Sequence, residues 1–169
     1  MKFPRVVRLD SSDSQVFAQA AKAGEWAVPG SFAFLDDHPA DLPAKERLAF
    51  HSGWLGLESF GRATLVEVAE IDEAGFAAVI ECLARHFVTH HGAPDLVQAL
   101  PAAREEAENA ASLCDHRLHS LLALERERGE SGLVERFRVI RPQRATDHAR
   151  IWEIAPDDQD RTEDEPAAS

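Results

Sequence analysis

Leu121-Leu122-Ala123-Leu124-Glu125-Arg126-Glu127-Arg128, then Gly129-Glu130-Ser131-Gly132, then Leu133-Val134-Glu135-Arg136-Phe137-Arg138-Val139-Ile140-Arg141 is the stretch on which the fold turns. Two strand-forming runs flank a short loop bounded by glycines, which is a β-hairpin signature. A hairpin joins antiparallel neighbours, whereas parallel strands need a crossover of a dozen or more residues, usually a helix. The order along the chain is strands, a helical middle, then strands again. It predicts an α+β fold, a mainly antiparallel sheet packed against two main helices, in preference to a parallel α/β fold.

Upstream of the hairpin, Ala63 to Ile71 predicts a strand, with Val66 and Val68 its β-branched members. Asp72-Glu73 then open the strongest helix, about 72 to 91, in which Phe76, Val79, Ile80, Leu83 and Phe87 keep helical spacing. Gly92 and Pro94 close it. Leu96 to Leu113 predicts a second helix, bent or broken at Pro101. Further out, Phe3 to Asp10 predicts a first strand and Ser14 to Lys22 a short helix. Trp26 to Leu35 predicts a strand pair with a bend at Pro29-Gly30, and Leu42 to His51 a short helix with Pro43 in its first turn. Beyond the hairpin, Ala149 to Ile154 suggests a last strand. Residues 1–156 are expected to form one domain. Residues 157–169 carry six acidic side chains against one arginine and no apolar anchor, the composition of a disordered tail.

A chain of 169 residues with 44% hydrophobic content can bury a core without disulfides or metal. The net charge of −12 argues against nucleic acid and against an anionic membrane surface as partners. No apolar run reaches the roughly 18 residues of a membrane span, and the first residues lack the apolar core of a signal peptide. With only Cys82 and Cys114, reduced thiols in the cytoplasm are the expectation. Arginine outnumbers lysine 15 to 3, a bias that points to a GC-rich bacterial genome.

Cys114-Asp115-His116 and His119 put a thiol, a carboxylate and two imidazoles within six positions. Zinc or iron would suit such ligands, with Glu108 as a further carboxylate from the preceding helix. The ordinary structural alternative makes Cys114 a small buried hydrophobe, Asp115 a cap, and His116 and His119 polar loop residues. A catalytic thiol, Cys114 with His116 or His119 as base, is the third alternative. His86 and His90 lie four apart on one helix face with His91 adjacent, which suits metal ligation or a favourable place at a helix C-terminus. By helix length the two clusters are on the order of 25 Å apart, so a joint site is not expected. Cys82, inside the helix, is expected to be structural. Gly56-Leu57-Glu58-Ser59-Phe60-Gly61 has one residue too many for a nucleophile elbow, and is a glycine-flanked turn.

Trp26, Phe32, Phe34, Phe50, Trp54 and Phe60 crowd a glycine-rich segment. Mostly they must be core, yet a pocket or partner-binding surface at Trp26, Phe34 and Trp54 is a second expectation.

Phe3-Pro4-Arg5 with Arg8-Leu9-Asp10, Gly24-Glu25-Trp26-Ala27-Val28-Pro29-Gly30, and Ala110-Ala111-Ser112-Leu113-Cys114-Asp115-His116 together resemble a family of small bacterial proteins of unknown function. The resemblance covers the chain to about Pro142. It implies a cytoplasmic protein and transfers no catalytic residue. The functional expectation is a non-enzymatic accessory or binding protein with a protein partner or a homodimer, the alternative a metal-binding protein or small metalloenzyme at Cys114/Asp115/His116.

Overall fold

The computed structural model describes residues 1–142 and 152–155. In chain order the strands are β1 (Lys2–Val7), β2 (Ala27–Val28), β3 (Trp54–Gly56), β4 (Arg62–Ala63), β5 (Leu65–Glu70), β6 (Leu121–Gly129), β7 (Gly132–Pro142) and β8 (Trp152–Ala155). The helices are α1 (Ser12–Val16), α2 (Ala44–Ser52), α3 (Glu73–His90) and α4 (Leu96–Ser112). A five-stranded sheet runs β1-β5-β6-β7-β8 and a three-stranded one β2-β3-β4. Every pairing within them is antiparallel, which makes the fold α+β.

The β6–β7 hairpin is tighter than the sequence suggests. Pairing runs from Leu121↔Ile140 to Gly129↔Gly132, so only Glu130 and Ser131 form the turn. Gly132 takes φ 136°, a conformation that side chains resist. Because strand side chains alternate, one face of the large sheet presents Val66, Val68, Leu122, Leu124 and Val139. These pack against Ala27, Trp54 and Ala63 of the small sheet and against Cys114. The opposite face carries ion pairs, Arg5–Glu67 at 2.5 Å and Arg138–Glu125 at 2.8 Å.

One residue breaks the rule that the buried face is apolar. Arg126 of β6 is fully buried. It donates to the carbonyls of Pro29 and Phe50 at 2.7 and 2.8 Å, and to Glu135 Oε1 at 3.0 Å. Its guanidinium lies 5.1 Å from the centre of the Phe34 ring, which Arg62 covers at 4.6 Å. Arg128 reaches the carbonyls of Phe34, Leu35 and Asp37. Two arginines of one strand thus tie the large sheet to the layer formed by residues 29–50.

Helices α3 and α4 pack against each other as a pair. Asp72 and Asp95 cap them by accepting from Gly75 N–H at 2.7 Å and Gln98 N–H at 2.8 Å. α3 buries Val79, Ile80, Leu83, Ala84 and Phe87, while α4 offers Ala99, Ala103, Ala107 and Ala110, small enough for close approach. The expected break at Pro101 does not occur. Pro101 is exposed near the start of α4, where its missing N–H costs a single bond while the alanine face holds the helix down.

Two further expectations need correction. Residues 26–35 are not a strand pair: after Ala27–Val28, Gly30 turns the chain with φ 72° into a short 3-10 helix, Ser31–Phe34. The Pro29-Gly30 pair ends the strand instead of bending it. The helix expected over 14–22 stops at Val16, because Phe17 and Ala21 are drawn into the core and residues 19–21 run extended beside β4. The last strand is Trp152–Ala155, paired with β7 from Val139↔Ala155 to Pro142↔Trp152. The tail expected from residue 157 lies outside the described residues.

Candidate functional site on the two sides of helix α3

The Cys114 cluster does not assemble. Cys114 is 1% exposed and packs beside Val66 and Val68. His119 is held on the other face of β5, where its Nδ1 lies 3.1 Å from Glu67 Oε2. The sheet therefore stands between thiol and imidazole. Asp115 faces solvent, and Glu108 lies on the outer side of α4 between buried Ala107 and Ala110. His116 uses its backbone carbonyl to accept from Lys2 Nζ at 2.6 Å. Burial pushes the Cys114 thiol up to about 12, although Lys2 opposes it, so the group is a poor nucleophile. Among the described residues, no three His, Cys, Asp or Glu side chains are grouped to hold a metal ion.

Of the aromatic segment, Phe34, Phe50 and Trp54 are core, whereas Trp26, Phe32 and Phe60 are partly buried. Trp54 is wholly buried and leans on Phe137, and Phe34 lies beneath two arginines. Trp26 is half-buried, edge-on to Phe3. Neither Trp54 nor Phe34 is available to a partner.

A different site is built around α3, beginning with a buried carboxylate. Glu25 accepts from Lys22 N–H at 2.6 Å, from Glu58 and Ser59 N–H at 2.9 Å each, and from the Ser59 hydroxyl at 2.8 Å. Burial raises this carboxyl, but the four donors more than reverse that and hold it below the usual value. The turn from Gly56 to Gly61 is thereby wrapped on Glu25. A Cβ on Gly61 would lie 2.5 Å from the Ala20 backbone, so only glycine closes the turn. Ser59 is spent on Glu25, as befits a structural turn.

What the turn presents is Phe60, at φ 54°, stacked on His86 of α3 with centroids 4.1 Å apart and planes within 6°. Phe32 meets His86 and His91 edge-on. The Nε2 atoms of His86 and His91 face each other at 3.3 Å, and the His90 ring is centred 4.8 Å from that of His86. Burial, then the neighbouring His91, His90 and Arg62, depress His86 to about 4, so its imidazole is neutral at physiological pH. Phe60, Cys82, Arg85, His86, Thr89 and His90 line an open cleft of about 420 Å³. Cys82 donates to the Leu57 carbonyl at 2.9 Å, and burial raises its thiol.

The other flank of α3 forms a groove with α4, about 540 Å³. Phe76, Ala77, Ile80 and Ala84 supply one wall, Leu96 and Leu100 the other, with Met1 at one end. Glu73, Glu81 and Arg104 are its charged members. Val97 beside it is 77% exposed, unusual for a large apolar side chain.

The sequence offered the His86/His90 spacing, but nothing in it announced Phe60 as the ring that stacks on His86, because the two lie far apart in the chain and meet only once the Glu25-bound turn packs on α3. The groove was missed for a related reason. Leu96 and Leu100 carry the same periodic signal as core residues, and only the packed hairpin shows which apolar positions stay outside.

A family model matches residues 1–154, past Pro142, and the chain belongs to that family of unknown function, DUF6505. No curated protein and no solved structure matches the chain.

Proposed function

We propose that this member of the family is a non-enzymatic cytoplasmic binding protein that docks an amphipathic, basic helix of another protein in the α3–α4 groove. The observation that carries the reading is the groove itself, with Leu96, Val97 and Leu100 left in water on a well-packed helix pair. Contiguous exposed apolar surface marks an interaction site, and a channel walled by Phe76, Ala77 and Ile80 of α3 and by Leu96 and Leu100 of α4 suits the knobs of a partner helix. Glu81 is paired with Arg85 and Arg104 also lines the groove, so it is Glu73 and the net charge of −12 that favour lysines and arginines flanking that helix's apolar stripe. Two unpaired cysteines, Cys82 and Cys114, suit a reducing compartment. Among the described residues, no helix is long and apolar enough to cross a membrane.

The test pairs two synthetic helices with the same leucine stripe, one flanked by lysines and one by glutamates, titrated by fluorescence anisotropy. The lysine helix should bind more tightly, and Leu100→Glu or Ala84→Glu should weaken it at least about tenfold, about 1.4 kcal/mol. Circular dichroism checks that the variants remain folded. Equal affinity for both helices, or indifference to both substitutions, would refute the reading. A dimeric mass by light scattering that returns to monomer in Leu100→Glu would replace the partner with a second copy of this chain.

A further inference from the structure

We propose that His86, His90 and His91 form a pH-sensitive latch that holds the Phe60 ring against α3 and releases it on mild acidification. The contact geometry dictates this. The Nε2 atoms of His86 and His91 meet at 3.3 Å, a hydrogen bond in which one ring donates its N–H and the other accepts. An imidazolium donates from both nitrogens, so two protonated rings leave that contact without an acceptor. His90 adds a third ring, centred 4.8 Å from His86, and Phe60 covers His86 with planes within 6°. A charge on His86 therefore sits beneath a phenyl ring and beside two further imidazoles.

The surrounding groups leave that charge uncompensated. Among the described residues, no carboxylate lies within ion-pair distance of these three histidines. Glu81 is engaged by Arg85 at 2.5 Å, and Glu25 is spent on the amides of its turn. Arg62 of β4 adds a like charge. Cys82, whose thiol burial raises, stays neutral, and Glu58 lines a neighbouring hollow with Trp26. The face of Phe60 attracts a cation, but the opposing effects outweigh it. His86 is depressed to about 4, first by burial and then by His91, His90 and Arg62, and His91 is lowered by burial and by His90. An exposed imidazole keeps about 6.5. Between those values the closed cluster binds fewer protons than the open one, so closure is complete above pH 6.5 and weakens as pH falls. Each histidine protonated on opening lowers the closed-to-open ratio about tenfold per pH unit. Glu25, raised by burial but held below the usual 4.5 by its donors, keeps its charge over most of this window. The turn thus stays wrapped while Phe60 lets go.

The latch is independent of the groove and has its own readout. Full-length protein with isotope-labelled histidine is titrated from pH 8 to pH 4 and followed by nuclear magnetic resonance. Cross-relaxation between Phe60 and His86, and between His86 and His91, should be present at pH 8. Both should be half lost between pH 6.5 and 4, while the Trp54–Phe137 contact of the core persists. His91→Gln removes the neighbouring imidazole and should raise the His86 midpoint, whereas His119→Gln should leave it unchanged. A His86 midpoint near 6.5 with its contacts intact below it, or contacts that survive to pH 4, would overturn the proposal. An unmoved midpoint in His91→Gln would do so as well. Loss in step with the Trp54–Phe137 contact would also refute it, since acid would then be unfolding the whole chain.

Discussion

Trp54 shows at the residue scale how burial and polarity are balanced one atom at a time. Its ring is fully enclosed and its Nε1 has no hydrogen-bond partner among the described residues. An unpaired buried donor costs about 1–3 kcal/mol. Trp54→Phe removes that cost together with part of the apolar bulk, so its net penalty should stay below about 1.5 kcal/mol. Trp54→Ala should cost about 3–5 kcal/mol, as large core truncations do. Denaturant unfolding of both variants decides the matter, and a Phe variant as damaged as the Ala variant would mean that the indole N–H is satisfied after all. A tryptophan in a glycine-rich segment looked like a partner-binding residue, and it is a core residue whose polar atom is left over.

At the scale of the element, α4 carries its alanine face inward and one carboxylate with it. Glu106 accepts from Gly30 N–H at 3.3 Å, and its carboxyl is raised above the ordinary 4.5, first by burial and also by Glu135 and Glu105, with the Gly30 N–H and then Arg126 opposing. The sign of the consequence follows from proton linkage. Between the unfolded value and the higher folded one, the native state binds more protons than the unfolded state, so stability falls as pH rises through that window. Above it the cost of the buried charge is fully present. Glu106→Gln keeps an oxygen for Gly30 and removes that charge. It should raise the melting temperature at pH 8, and the advantage should shrink on acidification to pH 4. A variant less stable than the parent at pH 8 would show that attraction to Arg126 outweighs burial. Acidic residues on a helix of an acidic protein read as solvated, so nothing in the sequence singled out Glu106 from Glu105 or Glu108.

At the scale of the whole molecule, Arg126 joins the large sheet to the layer above it. It satisfies the carbonyls of Pro29 and Phe50 and pairs with Glu135 from a fully buried position. Arg126→Ala leaves Glu135 without its cation and those carbonyls without a donor, and the loss should be about 3–5 kcal/mol. The measurement is the denaturation midpoint, with the slope unchanged if unfolding stays cooperative. A loss under about 1 kcal/mol would mean that water replaces the guanidinium and that the layers hold by apolar packing alone. The ion-pair-rich face of the same sheet, with Arg138–Glu125 half-exposed, should be far more tolerant.

The sequence by itself determined what depends on neighbours along the chain. Two glycines around a short polar turn made the β6–β7 hairpin, Asp72 and apolar spacing made α3, and these sufficed for an α+β fold. Turn conformations, caps and periodicity are local, so they are written locally. The tertiary structure alone decided which polar side chains go inside and which distant side chains meet. In the pattern Glu125-Arg126-Glu127-Arg128, nothing distinguishes the arginine that becomes a fully buried bolt. Cys114 and His119 are five positions apart and end on opposite faces of one strand, while Phe60 and His86 are 26 positions apart and stack. The physical reason is that desolvation and packing belong to the assembled surface around a residue. That surface exists only once strands, helices and turns have come together.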